Sequence, residues 1–223
     1  SDVYKRQPRY HQLNLIKKFR SEIKKDGVGN NYLVQHTTGS GKSYSIGWLS
    51  HTLTSLYQKD GDKKRMFDSI IVVTDRKVLD NQLQKTIDDL KKNKGVVYPV
   101  EKGSSDLKKF LESGKDIIIS TIQKFPQISD TIASLGDKRF AVIIDEVHSS
   151  QSGQLSKELK KSLTKDDDED GFDFEDLIRE EIKNRGRQKH ISFFGFTGTP
   201  KEKTLELFGT KHSNGEFKPF HEY

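Results

Sequence analysis

The chain has 223 residues, 39 Lys and Arg against 33 Asp and Glu for a net charge of +6, and no cysteine. The last point excludes disulfides and cysteine-ligated metals and fits a cytoplasmic setting, and no apolar run approaches the roughly 18 residues of a membrane span. Hydrophobic residues at 31% and charged residues at 32% predict one sizeable core under a very polar surface, with a net charge that favours a polyanionic partner but also serves solubility.

In chain order, the opening SDVYKRQ reads like the translated end of a transposon used in sequencing-library preparation. Ser1–Gln7 are therefore expected to be a non-native scar before a domain spanning Pro8–Tyr223. Six short apolar blocks follow: Asn31–His36, Ser69–Thr74, Gly95–Val100, Asp116–Thr121, Phe140–Asp145 and Ile191–Thr197. Their apolar residues run continuously rather than alternating, which predicts strands buried on both faces. Helical segments are expected between them, at Ser43–Gln58, Leu79–Lys92, Asp106–Ser113 and Lys124–Leu135. Strand–helix alternation predicts an α/β fold, a mostly parallel sheet in a three-layer αβα sandwich. Trp48, on the first of these helices, is expected to pack in the core. One stretch breaks the rhythm. Gly153–Lys189 holds nine Lys and Arg against eleven Asp and Glu, leaving 30 against 22, or +8, elsewhere. Phe174, Leu177, Ile178 and Ile182 in it have the spacing of an amphipathic helix, and DDDEDG reads as a solvated loop within a charged insert.

The stretch QHTTGSGKS after the first block resembles the phosphate-loop pattern GxxxxGK[ST], except that His36 takes the first glycine position. A strand before it and a helix after it are the setting that pattern requires. Thr38, Gly39, Ser40 and Gly41 form the expected cradle, where glycine conformations let successive N–H groups face phosphate oxygens. Lys42 is expected to reach the β- and γ-phosphates at a helix N-terminus, and Ser43 to hold Mg²⁺ through its hydroxyl. His36 lines the pocket or packs as a strand end; the residues leave both readings open. About 100 residues later, AVIIDEVH ends an apolar strand on Asp145 and Glu146. Ligands gather outside the carboxyl ends of parallel strands. Asp145 is thus placed for Mg²⁺, and Glu146 to orient or deprotonate an attacking water.

DEVH resembles the DEAH box of superfamily-two helicases and translocases, with Val147 in place of alanine. PRYHQ, VVTDRKVLDNQ, STIQKF and FTGTP resemble further motifs of that superfamily. The ordered set RYHQ, QHTTGSGKS, TDRKVLDNQ, DEVHSSQSG and GFTGTP, with the tail KTLELFGT and FKPFHEY, resembles the motor region of type I restriction enzyme R subunits over Pro8–Tyr223. The resemblance implies a RecA-like P-loop NTPase that uses ATP and Mg²⁺ to translocate duplex DNA. It implies partners too: methylation and specificity subunits, a nuclease domain, and a second RecA-like domain with an arginine finger, so this chain is expected to be the first motor domain alone. Residue by residue, it implies adenine recognition by Gln12, with Tyr10 or Arg9 for stacking. It adds His148 to the catalytic group, in contact with Thr197 or Thr199, and gives Thr197, Gly198 and Thr199 the coupling role. Arg76, Lys77, Gln123 and Lys124 become candidates for contact with DNA phosphate. Two other readings stay open, a superfamily-two helicase of DNA repair and a nucleotide-dependent binding module without catalysis.

Overall fold

A computed structural model describes residues 7–37, 39–59, 63–74, 77–90, 97–100, 104–145 and 189–223, with backbone alone at 77–80 and 104. The amphipathic helix and acidic loop expected within the insert lie outside the described residues, as does the proposed scar except for Gln7.

The chain begins with helix α1 (Tyr10–Asp26), then β1 (Asn31–Gln35), α2 (Lys42–Thr54), β2 (Ser69–Thr74), α3 (Lys77–Leu90) and β3 (Val97–Pro99). It continues through α4 (Ser104–Glu112), β4 (Ile117–Thr121), a 3₁₀ turn at Ile122–Lys124, α5 (Phe125–Ser134), β5 (Phe140–Asp145) and β6 (Ile191–Thr197). It closes with α6 (Glu202–Phe208), a two-stranded hairpin of β7 (Thr210–Lys211) and β8 (Phe217–Lys218), and β9 (His221–Glu222). Seven strands form one sheet in the order β3-β4-β2-β5-β6-β1-β9. All of its pairings are parallel.

The three-layer expectation is met by a period-2 division of every central strand. Val34, Ile70, Val72, Ile119, Ala141, Ile143, Phe194 and Phe196 face one cluster, which includes Leu15, Phe19 and Ile23 of α1, Ile46 and Leu49 of α2, and Leu83 and Ile87 of α3. Leu33, Ile71, Val73, Ile118, Val142 and Ile144 face the other, with Leu107 and Leu111 of α4, Ile128 and Ile132 of α5, and Phe208 of α6. Both faces being covered is why these strands carry continuous apolar runs. Each fully buried Ile, Leu or Phe contributes about 1.5–3 kcal/mol. No helix among the described residues is long and apolar enough to cross a membrane.

Three departures from expectation have local causes. The helix α1 was not expected, because its core contact is a narrow stripe of Leu15, Phe19 and Ile23 on an otherwise charged segment. The helix α2 ends at Thr54 rather than Gln58: the hydroxyls of Thr54 and Ser55 both donate to His51 O, at 2.8 and 3.1 Å, taking a terminal carbonyl. Such local side-chain bonds compete with helix continuation. Trp48, expected in the core, is only half-buried and belongs to neither apolar cluster. Leu49 and Ile46 instead supply the inward face of α2, and Gly47 gives it close approach to α3, since a Cβ there would lie 2.6 Å from Leu90 Cδ1.

Candidate functional site

Three strands distant in sequence meet at the carboxyl edge of the sheet. β6 lies between β5 and β1, with Asp145 in register with Phe196 and Gln35 with Thr197. The phosphate loop, the acidic strand end and the FTGTP turn therefore emerge side by side, as their chemistry requires.

The loop is held from below by backbone bonds. His36 N–H donates to Thr197 O at 2.9 Å, Ser40 N–H to Thr37 O at 3.1 Å, and Tyr44 N–H to Gly41 O at 2.9 Å. Gly39 and Gly41 adopt φ of 84° and 87°, conformations that cost a side-chain-bearing residue about 1–2 kcal/mol. No hydrogen bond among the described residues takes up the N–H of either glycine. Gly41 is doubly constrained, because a Cβ there would sit 3.0 Å from Gln12 Nε2.

Lys42 and Asp145 come together across the crest. Nζ lies 3.2 Å from Oδ1, with the side chains 18% and 10% exposed. Although close to this ammonium, Asp145 Oδ1 is buried and accepts no hydrogen bond among the described residues; the contact is one of charge without hydrogen-bond alignment. A buried carboxylate oxygen of that kind has unused acceptor capacity. Ser43 is exposed on the first turn of α2. No group of three or more His, Cys, Asp or Glu suited to a metal occurs among the described residues. The unused oxygen of Asp145 and the exposed hydroxyl of Ser43 fit a phosphate-bound Mg²⁺, which takes one or two protein oxygens.

Gln12 is buried and joins α1 to the loop. Its Nε2 donates to Gly41 O at 3.1 Å, and its Oε1 accepts from Arg9 N–H at 2.9 Å. One amide hydrogen and one lone pair remain beyond these two bonds, and Tyr10 beside it is 85% exposed. Thr197 is fully buried, and its Oγ1 accepts from Thr199 N–H at 3.2 Å, closing the turn through Gly198. His36 is a strand end rather than a pocket wall, 1% exposed and in contact with Ser45 Oγ through Nδ1 at 3.3 Å. Burial first, then the charges of His221, His11 and Lys42, lower its pKa to about 4.

The DNA candidates belong to the neighbouring part of the crest. β2 and β4 pair through Thr74 and Thr121, so the segments that follow them start close together. Gln123 is exposed on the 3₁₀ turn, while Lys124 is half-buried and donates from Nζ to Val100 O. Lys77 opens α3 with only its backbone described, and Thr38, Arg76, Glu146 and His148 lie outside the described residues.

The sequence reading gave no role to His11, His221 or Tyr223, which pack around His36. The one available signal was a pair of histidine-containing segments, RYHQ and FHEY, with no spacing to link them. A cleft of about 690 Å³ lies away from this chemistry, between Asp26 of α1, Asn31 and Tyr32 of β1, and Leu207 and Thr210. It opens at the amino end of β1 and contains neither phosphate-loop nor acidic-strand residues.

Comparison with known proteins agrees with the geometry. Residues 11–168 match the model of the SWI2/SNF2 ATPase family. The type I restriction enzyme SauCOLORF180P endonuclease subunit of Staphylococcus aureus (strain COL) is 31% identical over 178 residues, covering 78% of this chain. This match spans only 15% of that relative's length. The chain's fold is shared by a nuclease-deletion mutant of the Type ISP restriction-modification enzyme LlaGI in complex with a DNA substrate mimic, at 14% identity and a TM-score of 0.57, covering 98% of this chain and 20% of that one. It is also shared by the UvsW helicase from bacteriophage T4, at 12% identity and a TM-score of 0.54, covering 100% of this chain and 62% of that one.

Proposed function

Because this chain belongs to the SWI2/SNF2 ATPase family, we propose that it binds ATP with Mg²⁺ and hydrolyses it to drive translocation along duplex DNA, as the first motor domain of a type I restriction enzyme R subunit. The observation that carries this reading is the 3.2 Å approach of Lys42 to Asp145 beside a loop with two left-handed glycines. Each partner is held in reserve by the other. With the Lys42 ammonium drawn to the β- and γ-phosphates, the Asp145 carboxylate would be free to hold Mg²⁺. Mg²⁺, when bound, supplies charge neutralisation at the phosphate oxygens.

The chain's own residues do the rest by positioning and electrostatics. The N–H groups of Gly39 and Gly41 and the amino end of α2 take the phosphates, while the remaining donor and acceptor of Gln12 recognise adenine. Glu146 orients and deprotonates the attacking water. His148, through Thr197 or Thr199, connects hydrolysis to movement, and the bond from His36 N–H to Thr197 O already ties β6 to the loop. Arg76, Lys77, Gln123 and Lys124 track DNA phosphate. Nuclease, methylation and specificity functions belong to the other domains and subunits of the assembly.

Titration calorimetry with Mg·ATP tests this reading. The wild-type chain should bind, and Lys42→Ala should lose at least about a hundredfold in affinity, since a charge-assisted contact to phosphate and its buried partner are both disturbed. Turnover by residues 1–223 alone should be slow. The resemblance gives the transition-state arginine to a second RecA-like domain, and such an arginine is worth about 10³–10⁵ in rate. Fast DNA-stimulated hydrolysis by this chain, or unchanged binding in Lys42→Ala, sinks the assignment.

A further inference from the structure

The ring of His11 stacks on that of Tyr223, with centroids 3.7 Å apart and planes 7° apart. We propose that these two residues are a positioning pair that aims the N–H groups of the phosphate loop; the proposal rests on reading that loop as the ATP site.

The argument begins with one hydrogen bond. His11 Nε2 lies 3.0 Å from Ser40 O. A carbonyl oxygen only accepts, so Nε2 carries the proton and the ring is fixed in that tautomer. Ser40 C=O and Gly41 N–H belong to one planar trans peptide and point in opposite directions. Holding the carbonyl toward α1 therefore turns Gly41 N–H outward. The next peptide is set in the same way, because Gln12 Nε2 donates to Gly41 O at 3.1 Å, which turns Lys42 N–H away from α1. Adjacent residues of one helix thus take two successive carbonyls of the loop, and the two amides behind them are aimed as phosphate binding needs.

Ser40 needs such a hold because it lies between Gly39 and Gly41, both at left-handed φ, and glycine leaves its peptides free to rotate. Tyr223 supplies the second restraint. Its N–H donates to Gln35 O and its carbonyl accepts from Thr37 N–H, each at 2.9 Å. This straddle of His36 extends the β1–β9 pairing into the loop and fixes the tyrosine ring over His11. The imidazole is then gripped on its face by Tyr223 and at its edge by Ser40, and it meets His36 edge-on at 5.5 Å. Tyr223 is 55% exposed, so truncating its ring removes the stack without opening the core.

The test combines Mg·ATP affinity with amide hydrogen exchange of peptides spanning residues 36–44 in the nucleotide-free chain. Tyr223→Ala should weaken affinity about five- to tenfold and accelerate exchange, and Tyr223→Phe should restore both to within about twofold. His11→Phe keeps an aromatic stack but loses the donor, so it should be as weak as His11→Ala, about tenfold below wild type. The double variant His11→Ala/Tyr223→Ala should be no weaker than His11→Ala, since the two act as one unit. The pair is overturned if Tyr223→Ala leaves affinity and exchange at wild-type values, or if His11→Phe binds like wild type, while Lys42→Ala still abolishes binding. A wild-type chain that fails to bind Mg·ATP sinks the ATP reading instead; accelerated exchange in Tyr223→Ala would even then support the pair as the element that orders the loop.

Discussion

The two halves of the sheet's carboxyl edge are built differently. Across β5, β6 and β1, the buried polar groups include ionisable side chains held in specific contacts: Lys42 with Asp145, His11 with Ser40, His36 with Ser45. Across β2 and β4, the buried polar groups among the described residues are hydroxyls, and Thr74 Oγ1 and Ser120 Oγ have no hydrogen-bond partner there. Both halves share the same apolar strands beneath. The nucleotide half has buried orphan atoms of its own, His36 Nε2, Ser40 Oγ and Asp145 Oδ1, but adds ionisable groups in specific contact, whereas the other half relies on packing for Thr74 and Ser120. Each prediction below probes one side of that contrast.

The largest effect should come from acid. The His36 ring is held at about 4, against 6.5 unperturbed, by burial first and by His221, His11 and Lys42 second. His221 is lowered in the same direction, by burial and then by Lys18 and His11. A depressed histidine pKa means that the unfolded chain takes up its proton first as pH falls below about 6.5. Stability is then lost between about pH 6.5 and pH 4, on the order of 3 kcal/mol for His36. His36→Asn removes the titrating ring, so its urea midpoint should fall less steeply than that of wild type over this window. Equal slopes would move the acid sensitivity away from the nucleotide half.

Next in size is the loop itself. Gly41→Ala forces a side chain into φ 87° and to 3.0 Å from Gln12 Nε2, costing about 2 kcal/mol, or about thirtyfold in Mg·ATP affinity. Gly215→Ala is the control, because it has nearly the same φ of 88° but nothing within 4 Å of the added Cβ. It should cost about 1 kcal/mol of stability and leave affinity unchanged. Similar affinity losses in both would mean that the loop's conformation is not what binds nucleotide. On the other half, Ser120→Ala should change stability by less than about 0.5 kcal/mol or raise it, since a buried hydroxyl with no partner among the described residues gains nothing from burial. A loss above about 1 kcal/mol would show that this hydroxyl is engaged and would erase the contrast.

How much of this could be read from the sequence follows the same division. Ser69–Thr74, Phe140–Asp145 and Ile191–Thr197 were legible to the residue, because burial on both faces imposes an unbroken apolar run. Motif chemistry assigned Lys42 to phosphate and Asp145 to Mg²⁺, but their direct approach at 3.2 Å was not legible. The role of His11 was not legible, because a hydrogen bond to a carbonyl across 29 residues and a stack across 212 leave no periodicity. Nor was the half-buried setting of Trp48, where a single aromatic on a helix says nothing about which neighbour takes the inward position. Close approach at Gly47 is likewise a tertiary decision that overrides local preference, whereas α2 ends at Thr54 through local hydroxyl bonds to His51 O.

The smallest effect should separate the two halves most cleanly. Lys124 donates from Nζ to Val100 O, which fixes the ammonium at the crest. If β2 and β4 present the DNA-facing segments, Lys124→Ala should weaken binding to a short duplex only a few-fold at moderate salt and reduce the slope of log affinity against log salt by about 1. Gln123→Ala, at an exposed neutral residue beside it, should lower affinity less and leave the slope unchanged, because a neutral donor releases no counterion. Neither change should alter Mg·ATP affinity, since both residues lie beyond β2 and β5 from the phosphate loop. The slope is the decisive quantity. A general loss of stability lowers duplex affinity equally at every salt concentration, whereas a lost phosphate contact changes the salt dependence itself. An unchanged slope in Lys124→Ala would remove this part of the crest from the DNA path.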